Sequence, residues 1–524
     1  MILQYSRRRA LLPVAILLAI ASHCSFTTAD DDLGKRIDAV IDAAEFKHAH
    51  WGVLAVDMDS GATLYERAAD KLFAPASTTK LYSVAAALDE FGADYCFETP
   101  VYATAEVDKD GRLAGNLVLV ASGDLNMGGR TDEQGHIAFV DSDHTYANFS
   151  RSAEITKPNP LAGLDEMARQ IAAAGIKHVE GDVLVDDRLF QSAEGTGSGP
   201  GRLTPIIIND NVIDVRITPT RPGELAKAEW RPQTAAVRVD VQVDTVAAKG
   251  ETHVDVQSPE EGVVIVDGQI PAEAKPLVRI HEVTDAASFA RSLLIEALRR
   301  ADVRVEASPL DSNDDDNLPE NTEYATMQRV ALLKSPPFSE AAKLILKVSH
   351  NLHASTLPLL LAARHDERTL SAGLRLQHNF LARVGVDVDS ISFGGGAGGD
   401  RADYTTPRTT VQLLRYMATR PDFEEYRQAL PILGVDGTLA SSVGKDSPAR
   451  GKVQAKTGTL VWSNVMNGTS MLNSKALAGY ATTAAGRRVA LAMFVNQVQI
   501  HKPDDREHVG QVLGKVCEEI VKAK

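Results

Sequence analysis

The chain has 524 residues, of which 44% are apolar and 24% are charged, as is typical of globular proteins. This length predicts several domains and a core that needs no metal or disulfide to be stable. The net charge of −15 argues against nucleic-acid binding, which requires a basic face. Three cysteines are too few for a disulfide scaffold or a four-cysteine zinc site.

The N-terminus has the pattern of a secretory signal. Three arginines at positions 7–9 precede an apolar run over 10–21, which is too short to span a bilayer. We predict a signal segment at 1–29, with lipoprotein cleavage before Cys24 as the alternative. No later stretch has the length of a membrane span. We therefore expect an exported protein, periplasmic or in the cell envelope, without a stable membrane span and with a mature charge of −18 after its three signal arginines are removed.

Two cysteines, Cys96 and Cys517, remain after the predicted cleavage. They could pair in an oxidising compartment. Two buried free thiols are the alternative, and the sequence leaves both open.

The chain after the signal predicts a helix, two strands and a second helix. Residues 39–46 end the first helix, and 51–57 and 62–65 form a hairpin. Pro75 precedes the second helix, whose apolar residues are spaced on one face. Ser77 therefore lies at the start of a helix, where its hydroxyl is exposed.

Near residue 97 the sequence pattern changes to one that predicts mostly β-strands. Short alternating segments predict strands at 101–107, 116–121, 183–186, 212–217, 236–243, 252–257 and 262–266. Helices are predicted at 161–174 and 285–300, and the acidic run 311–321 predicts a solvated loop.

The remainder of the chain again predicts helices together with strands. The helices are predicted at 339–352, 371–384, 409–419 and 505–522, and the strands at 451–456, 476–482 and 488–495. The sequence thus predicts an α+β domain formed by 30–97 and 325–524, interrupted by mostly β inserted domains at 98–324.

Several local patterns are weak. The glycine-rich segment 394–399 matches a dinucleotide fingerprint but opens no helix, so we interpret it as a flexible turn. His350 and His353 could share a helix face, but the sequence shows no third metal ligand. A Ser-x-x-Lys motif at 442–445 lies in a predicted loop. We predict neither a metal nor a cofactor.

Three other motifs occur in the order typical of penicillin-interacting serine enzymes. They are S-x-x-K at 77–80, S-x-N at 349–351 and K-T-G followed by threonine at 456–459. S-x-x-K alone is expected about once or twice by chance in a chain of this length. The order and the predicted placement of all three make the combined pattern specific.

The motif spacing suggests a nucleophile with its base. Ser77 and Lys80 are three residues apart and face each other across one helical turn. A neutral Lys80 could accept the proton of Ser77, and burial together with a second cation, Lys456, would lower its pKa. The helix N-terminus adds a positive dipole at the nucleophile.

The other motif residues suggest roles toward a peptide substrate. Ser349 could pass the proton to the leaving amine, and Asn351 could hold Lys80 and bind a substrate amide. The Lys456 ammonium with the hydroxyls of Thr457 and Thr459 could bind a terminal carboxylate. Gly458 would let the substrate backbone approach the strand, and the backbone N–H groups of Ser77 and Thr459 would form the oxyanion hole.

The whole mature chain resembles the class C low-molecular-mass penicillin-binding proteins, the D-alanyl-D-alanine carboxypeptidase/endopeptidase family. Besides the three motifs, the segments that carry the resemblance are 74–80, 116–124, 181–187, 209–214 and 434–439. The resemblance implies a penicillin-binding (DD-peptidase/β-lactamase-like) domain, with a five-stranded antiparallel sheet flanked by helices. It also implies a serine DD-peptidase that acts on peptidoglycan stem peptides and is acylated by β-lactam antibiotics.

The resemblance leaves the preferred bond open, because a carboxypeptidase that cleaves D-Ala-D-Ala and an endopeptidase that cleaves D-Ala-meso-diaminopimelate cross-links use the same site. The chain departs from the family at 395–398, where Asp-Gly-Ser-Gly is usual, at His350 and Ser355, where Asp and Glu are usual, and in a longer stretch at 461–475.

Two alternative functions remain. The first is a non-catalytic peptidoglycan-binding or sensing protein, favoured by the change at 395–398. The second is a β-lactamase, which needs a dedicated deacylation base that we do not identify. Small β-lactamases also have a far shorter gap than the 269 residues between Lys80 and Ser349.

Overall fold

The computed structural model describes residues 29–502 and 504–523. The predicted signal segment lies outside the described residues, apart from Ala29. The helices are α1 (Ala29–Ile41), α2 (Lys80–Phe91), α3 (Ala162–Ala173), α4 (Ala286–Arg300), α5 (Phe338–Lys347), α6 (Asn351–Arg364), α7 (Leu370–Arg383), α8 (Pro407–Met417), α9 (Phe423–Gln428) and α10 (Asp505–Val521). None of these described helices is long and apolar enough to cross a membrane.

The strands fall into one long sheet and several shorter ones. They are β1 (His50–Asp57), β2 (Thr63–Arg67), β3 (Glu98–Ala103), β4 (Arg112–Leu113), β5 (Leu117–Val120), β6 (His178–Val179), β7 (Val183–Asp186), β8 (Ala193–Glu194), β9 (Arg202–Leu203), β10 (Val212–Thr218), β11 (Lys227–Arg231), β12 (Arg238–Val246), β13 (His253–Gln257), β14 (Val263–Pro271), β15 (Leu277–Glu282), β16 (Arg304–Val305), β17 (Gln328–Lys334), β18 (Val453–Asn464), β19 (Thr469–Thr482) and β20 (Arg488–Ile500).

A five-stranded antiparallel sheet between two layers of helices confirms the predicted fold class. Its strand order is β18-β19-β20-β1-β2. Because strand side chains alternate, Leu54 and Val56 of β1 pack with α2 and α8, whereas Val53 and Ala55 pack with α1 and α10. Both faces of the sheet are therefore buried. The first helix, α1, and the last, α10, pack together on one of these faces.

The region between β3 and β17 has a separate apolar core and shorter sheets, as its alternating pattern predicts. Helices α3 and α4 pack in this core together with β5, β7, β10 and β14. One sheet has the order β17-β3-β5-β7, so it takes its edge strand from beyond residue 325. The two-residue strands escaped sequence analysis because they are too short for an alternating pattern.

The helix predicted over 339–352 is wrong in one respect: it is two helices, α5 and α6, with a break between them. Ser349 has a positive φ of 67°, a conformation that a right-handed helix cannot contain. The His350 side chain then caps α6 by accepting a hydrogen bond from the backbone N–H of His353. The S-x-N motif therefore lies at a helix junction.

Cys96 and Cys517 are free thiols, so the disulfide alternative is wrong; Cys96 is half-buried. Cys517 is buried in α10, and this burial raises the pKa of its thiol to about 12. Such a thiol is inert and acts as a small apolar core residue.

We predict that Phe494→Ala strongly destabilises the protein. The Phe494 ring is fully buried in β20 and stacks on Phe73 with ring centroids 5.9 Å apart. Its loss should lower the free energy of unfolding by about 3–5 kcal/mol, measured as a lower denaturant midpoint. Phe149→Ala is the matched control because Phe149 is 91% exposed, and equal stability of the two variants would contradict this account of the core.

Candidate active site

The nucleophile candidate Ser77 lies in a 3-10 turn, Ala76–Thr79, that leads directly into α2. The helix thus begins one turn later than Ser77, at Lys80. Lys80 Nζ lies 2.9 Å from Ser77 Oγ, 2.7 Å from Asn351 Oδ1 and 2.9 Å from the carbonyl oxygen of Ala397. The structure therefore brings together three sequence-predicted residues and one that sequence analysis missed.

The environment of Lys80 makes its amine easier to deprotonate. The side chain is fully buried, and this burial lowers its pKa to about 7, although the Asp403 carboxylate opposes the shift. Burial raises the pKa of Asp403 to about 7, against the hydrogen bonds that its carboxylate accepts from the N–H groups of Gly394 and Asp400. A neutral Lys80 amine is the form that can accept a proton from Ser77.

Lys456 is buried on the edge strand β18 and donates a hydrogen bond to the Thr457 carbonyl oxygen at 2.8 Å. Burial, followed by repulsion from Lys80, holds its pKa well below the usual range. Burial is the main cause of the lowered pKa of Lys80, and the repulsion between the two ammonium groups lowers the pKa of Lys456 further. Two ammonium groups in one buried site are costly.

Gly458 allows β18 to pack against the turn that carries Ser77. A Cβ atom at this position would lie 2.6 Å from the carbonyl oxygen of Pro75, so any larger residue would push the strand away. We expected Gly458 to let the substrate backbone approach this strand; in the structure it is the backbone of Pro75 that lies close to Gly458. The nearby hydroxyls of Thr457 and Thr459 are held by Thr438 Oγ1 at 2.7 Å and by Lys475 Nζ at 2.9 Å.

The glycine-rich segment 394–399 is a closely packed wall of the site, so its interpretation as a flexible turn is wrong. Residues 395–399 are buried. Gly398 has a positive φ of 89°, and a Cβ there would lie 1.9 Å from the Ala76 carbonyl oxygen. Ser83 Oγ donates to the Gly396 carbonyl oxygen at 2.9 Å. The absence of side chains lets this segment approach both the nucleophile turn and α2.

These residues open onto a cleft of about 370 Å³. Ser77, Ser349, Asn351, Thr457 and Thr459 line it. The inserted region contributes Asp141, Tyr146, Phe149 and Ser198, and β19 and α10 contribute Lys475 and Arg506. Burial, followed by repulsion from Arg506, lowers the pKa of Lys475 to about 8. Sequence analysis missed these residues because they belong to no motif. Only Lys475 could have been found, because it ends the stretch 461–475 in which the chain departs from the family.

A possible metal-ligand cluster lies behind the cleft, where Asp210, His350 and His353 offer ligand atoms within 4.8 Å of one another. The sequence showed no third ligand, and the inserted region supplies it as Asp210. However, the Asp210 carboxylate also lies 2.6 Å from Arg130 Nη2 and 2.8 Å from His144 Nε2. A metal ion would have to compete with these donors, so the geometry fits a hydrogen-bonded ionic cluster better than a metal centre.

Comparisons with known proteins agree with the fold and with the family resemblance. The family model described as D-Ala-D-Ala carboxypeptidase 3 (S13) matches residues 33–515. The chain is 28% identical to a D-alanyl-D-alanine carboxypeptidase of Actinomadura sp. (strain R39), over 87% of this chain and 82% of that protein. It is 25% identical to the carboxypeptidase DacB of Haemophilus influenzae, over 85% of each chain.

Solved structures show the same fold. The crystal structure of penicillin binding protein 4 (dacB) from Haemophilus influenzae has a TM-score of 0.68 and 21% identity, covering 94% of this chain and 99% of that chain. Its complex with a β-lactam has a TM-score of 0.66 and covers 92% and 98%. The resemblance to the class C penicillin-binding proteins is thereby confirmed, and the chain belongs to the D-Ala-D-Ala carboxypeptidase 3 (S13) family of serine-type hydrolases.

Proposed function

We propose that this protein is an exported DD-peptidase in which Ser77 attacks the carbonyl carbon of a D-Ala-D-Ala bond in a peptidoglycan stem peptide. The attack forms an acyl-enzyme and releases the terminal D-alanine, and water then hydrolyses the ester. The observation that carries the proposal is the 2.9 Å contact between Lys80 Nζ and Ser77 Oγ in a buried site. β-Lactams would acylate the same hydroxyl.

The surrounding groups support a defined path for the proton. Neutral Lys80 accepts it from Ser77, and Ser349 delivers it to the leaving amine. Asn351 keeps Lys80 in place through its Oδ1 atom, 2.7 Å away. The N–H groups of Ser77 and Thr459 are the proposed oxyanion donors.

The end of the cleft lined by Lys475 and Arg506 supports recognition of a free carboxylate. The hydroxyls of Thr457 and Thr459 are the proposed carboxylate ligands, and Lys475 adds a positive charge through its contact with Thr459. Lys456 is buried behind this wall and holds it through the Thr457 carbonyl oxygen. The leaving group of a D-Ala-meso-diaminopimelate cross-link also carries a carboxylate. Cross-link cleavage is therefore a second proposed activity of the same site.

A non-catalytic binding protein is the alternative that the unusual segment 395–398 favours. In this segment, however, the group that contacts Lys80 is the backbone carbonyl oxygen of Ala397. Changes of side chain in this segment remove no partner of the proposed base, so they leave the case for catalysis intact.

We predict that Ser77→Ala abolishes covalent labelling by a fluorescent penicillin. Loss of the attacking oxygen should reduce the acylation rate by at least about 10³-fold, measured by gel fluorescence of purified protein. Ser442→Ala, in the other S-x-x-K motif at 442–445, is the matched control. Ser442 also lines the cleft, but the lysine of its motif, Lys445, is exposed, so this variant should label normally. A folded wild-type protein that takes up no label would refute the acylation mechanism.

The acylation rate should rise as the pH increases through about 7, because Lys80 has a pKa of about 7 and only its neutral form accepts the proton. Asp403→Asn should move this midpoint to lower pH, since the Asp403 carboxylate favours the charged amine. Stopped-flow acylation across pH 5–9 checks both, with the exposed Asp389→Asn as the charge control. A midpoint moved upward would contradict the assignment.

Lys475→Met should raise KM for peptides with a free C-terminal carboxylate by about tenfold or more, as expected for loss of a charge-assisted hydrogen bond, with a smaller effect on kcat. A peptide amide should show little change in KM. Lys452→Met, an exposed residue just before β18, is the control. Equal effects on acid and amide would exclude carboxylate recognition by Lys475.

A further inference from the structure

We propose that Asp210, in the inserted region, is a positioning residue that holds the S-x-N loop (residues 349–351) in the conformation needed for acylation. Tyr146 assists it from the same region. The inference rests on the proposed function, because it assigns the inserted region a part in that reaction. It concerns residues that touch neither Ser77 nor Lys80 directly.

The S-x-N loop needs external support because its backbone is strained. Ser349 has a positive φ of 67°, a left-handed conformation that residues other than glycine rarely adopt. Such conformations persist where the surroundings enforce them. Here the Tyr146 hydroxyl donates a hydrogen bond to the Ser349 carbonyl oxygen, so one restraint comes from the inserted region.

Asp210 supplies a second restraint on the other side of the loop. Its Oδ1 atom lies 2.7 Å from His353 Nε2 and 3.3 Å from His350 Nε2. The two imidazole rings are stacked, with centroids 3.7 Å apart. One carboxylate oxygen thus hydrogen-bonds to His353 and contacts His350, which also stacks on the His353 ring. Through these contacts Asp210 orients the loop and the first turn of α6 together.

The other oxygen of Asp210 is anchored within the inserted region. Oδ2 lies 2.6 Å from Arg130 Nη2 and 2.8 Å from His144 Nε2. Arg130 Nη1 lies 2.7 Å from Asp143, and His144 Nδ1 is hydrogen-bonded to Asp214. Although burial lowers the pKa of His144, the Asp214 and Asp143 carboxylates outweigh it and raise this pKa to about 10. The anchor is therefore a charge-paired cluster that fixes the Asp210 carboxylate.

The restraint reaches the reacting groups through a short path. His350 is adjacent to both Ser349 and Asn351, and Asn351 Oδ1 accepts the hydrogen bond from Lys80 at 2.7 Å. Release of His350 would let Asn351 and Ser349 shift together. A displacement of about 1 Å in such an arrangement can reduce a rate by about 10²-fold.

The test uses full-length Asp210→Asn, which keeps the shape of the side chain and removes its charge. We expect the acylation rate constant for penicillin to fall by about 10²-fold, with less than about threefold change in the noncovalent dissociation constant for penicillin, because the opposite wall with Thr457, Thr459 and Lys475 stays in place. Single-turnover kinetics separates the two quantities.

Asp182→Asn is the matched control because it breaks another ion pair of the inserted region, one whose arginine is buried. Asp182 Oδ1 lies 2.6 Å from Arg291 Nη2, and Arg291 is 1% exposed. This variant should lose stability but acylate at the wild-type rate. If Asp210→Asn acylates like wild type, or if both variants slow equally, Asp210 has no positioning role.

Two further measurements keep the outcome decisive. If Asp210→Asn does not fold, Tyr146→Phe removes only the hydroxyl donated to Ser349 and should still slow acylation, whereas a wild-type acylation rate would refute the proposal. Hydrogen exchange of amides 348–354 should be faster in folded Asp210→Asn than in wild type and Asp182→Asn.

If the wild-type protein is not acylated, the proposed function fails. The exchange data alone then decide whether Asp210 orders the loop, and unchanged exchange in Asp210→Asn would refute this role.

Discussion

The site depends on the burial of one lysine amine among acceptors from three distant parts of the chain. Ser77, Asn351 and Ala397 each place an oxygen within 2.9 Å of Lys80 Nζ. Because an unpaired buried polar group is costly, this amine holds the nucleophile turn, the S-x-N loop and the glycine-rich wall together. The same burial moves its pKa toward neutrality, so one interaction serves both the architecture and the chemistry.

The inserted region is joined to this site by charge as well as by packing. Asp210 is shared between Arg130 and His144 on one side and His350 of the S-x-N loop and His353 of α6 on the other. Removal of one partner from a buried ionic cluster is expensive. The inserted region and the loop therefore constrain each other.

Sequence analysis was accurate where the signal is local. The short apolar runs of β1 and β20 and the helical spacing of α2 predicted these elements, whereas the five-stranded sheet that joins them was implied by the family resemblance. It failed where a contact links distant residues. Asp210 lies 143 residues from His353, and the tight packing of segment 394–399 depends on the backbone of Ala76.

The sequence by itself determined the α+β class, the order of the three motifs and the residues proposed for acylation, because motif chemistry and periodicity are properties of neighbouring residues. Only the tertiary structure decided that Ser349 sits at a helix junction, that Lys475 faces the cleft and that Asp210 completes the histidine pair. Positive φ angles, burial and pKa shifts arise from atoms that are far apart in the chain and meet only in the folded core.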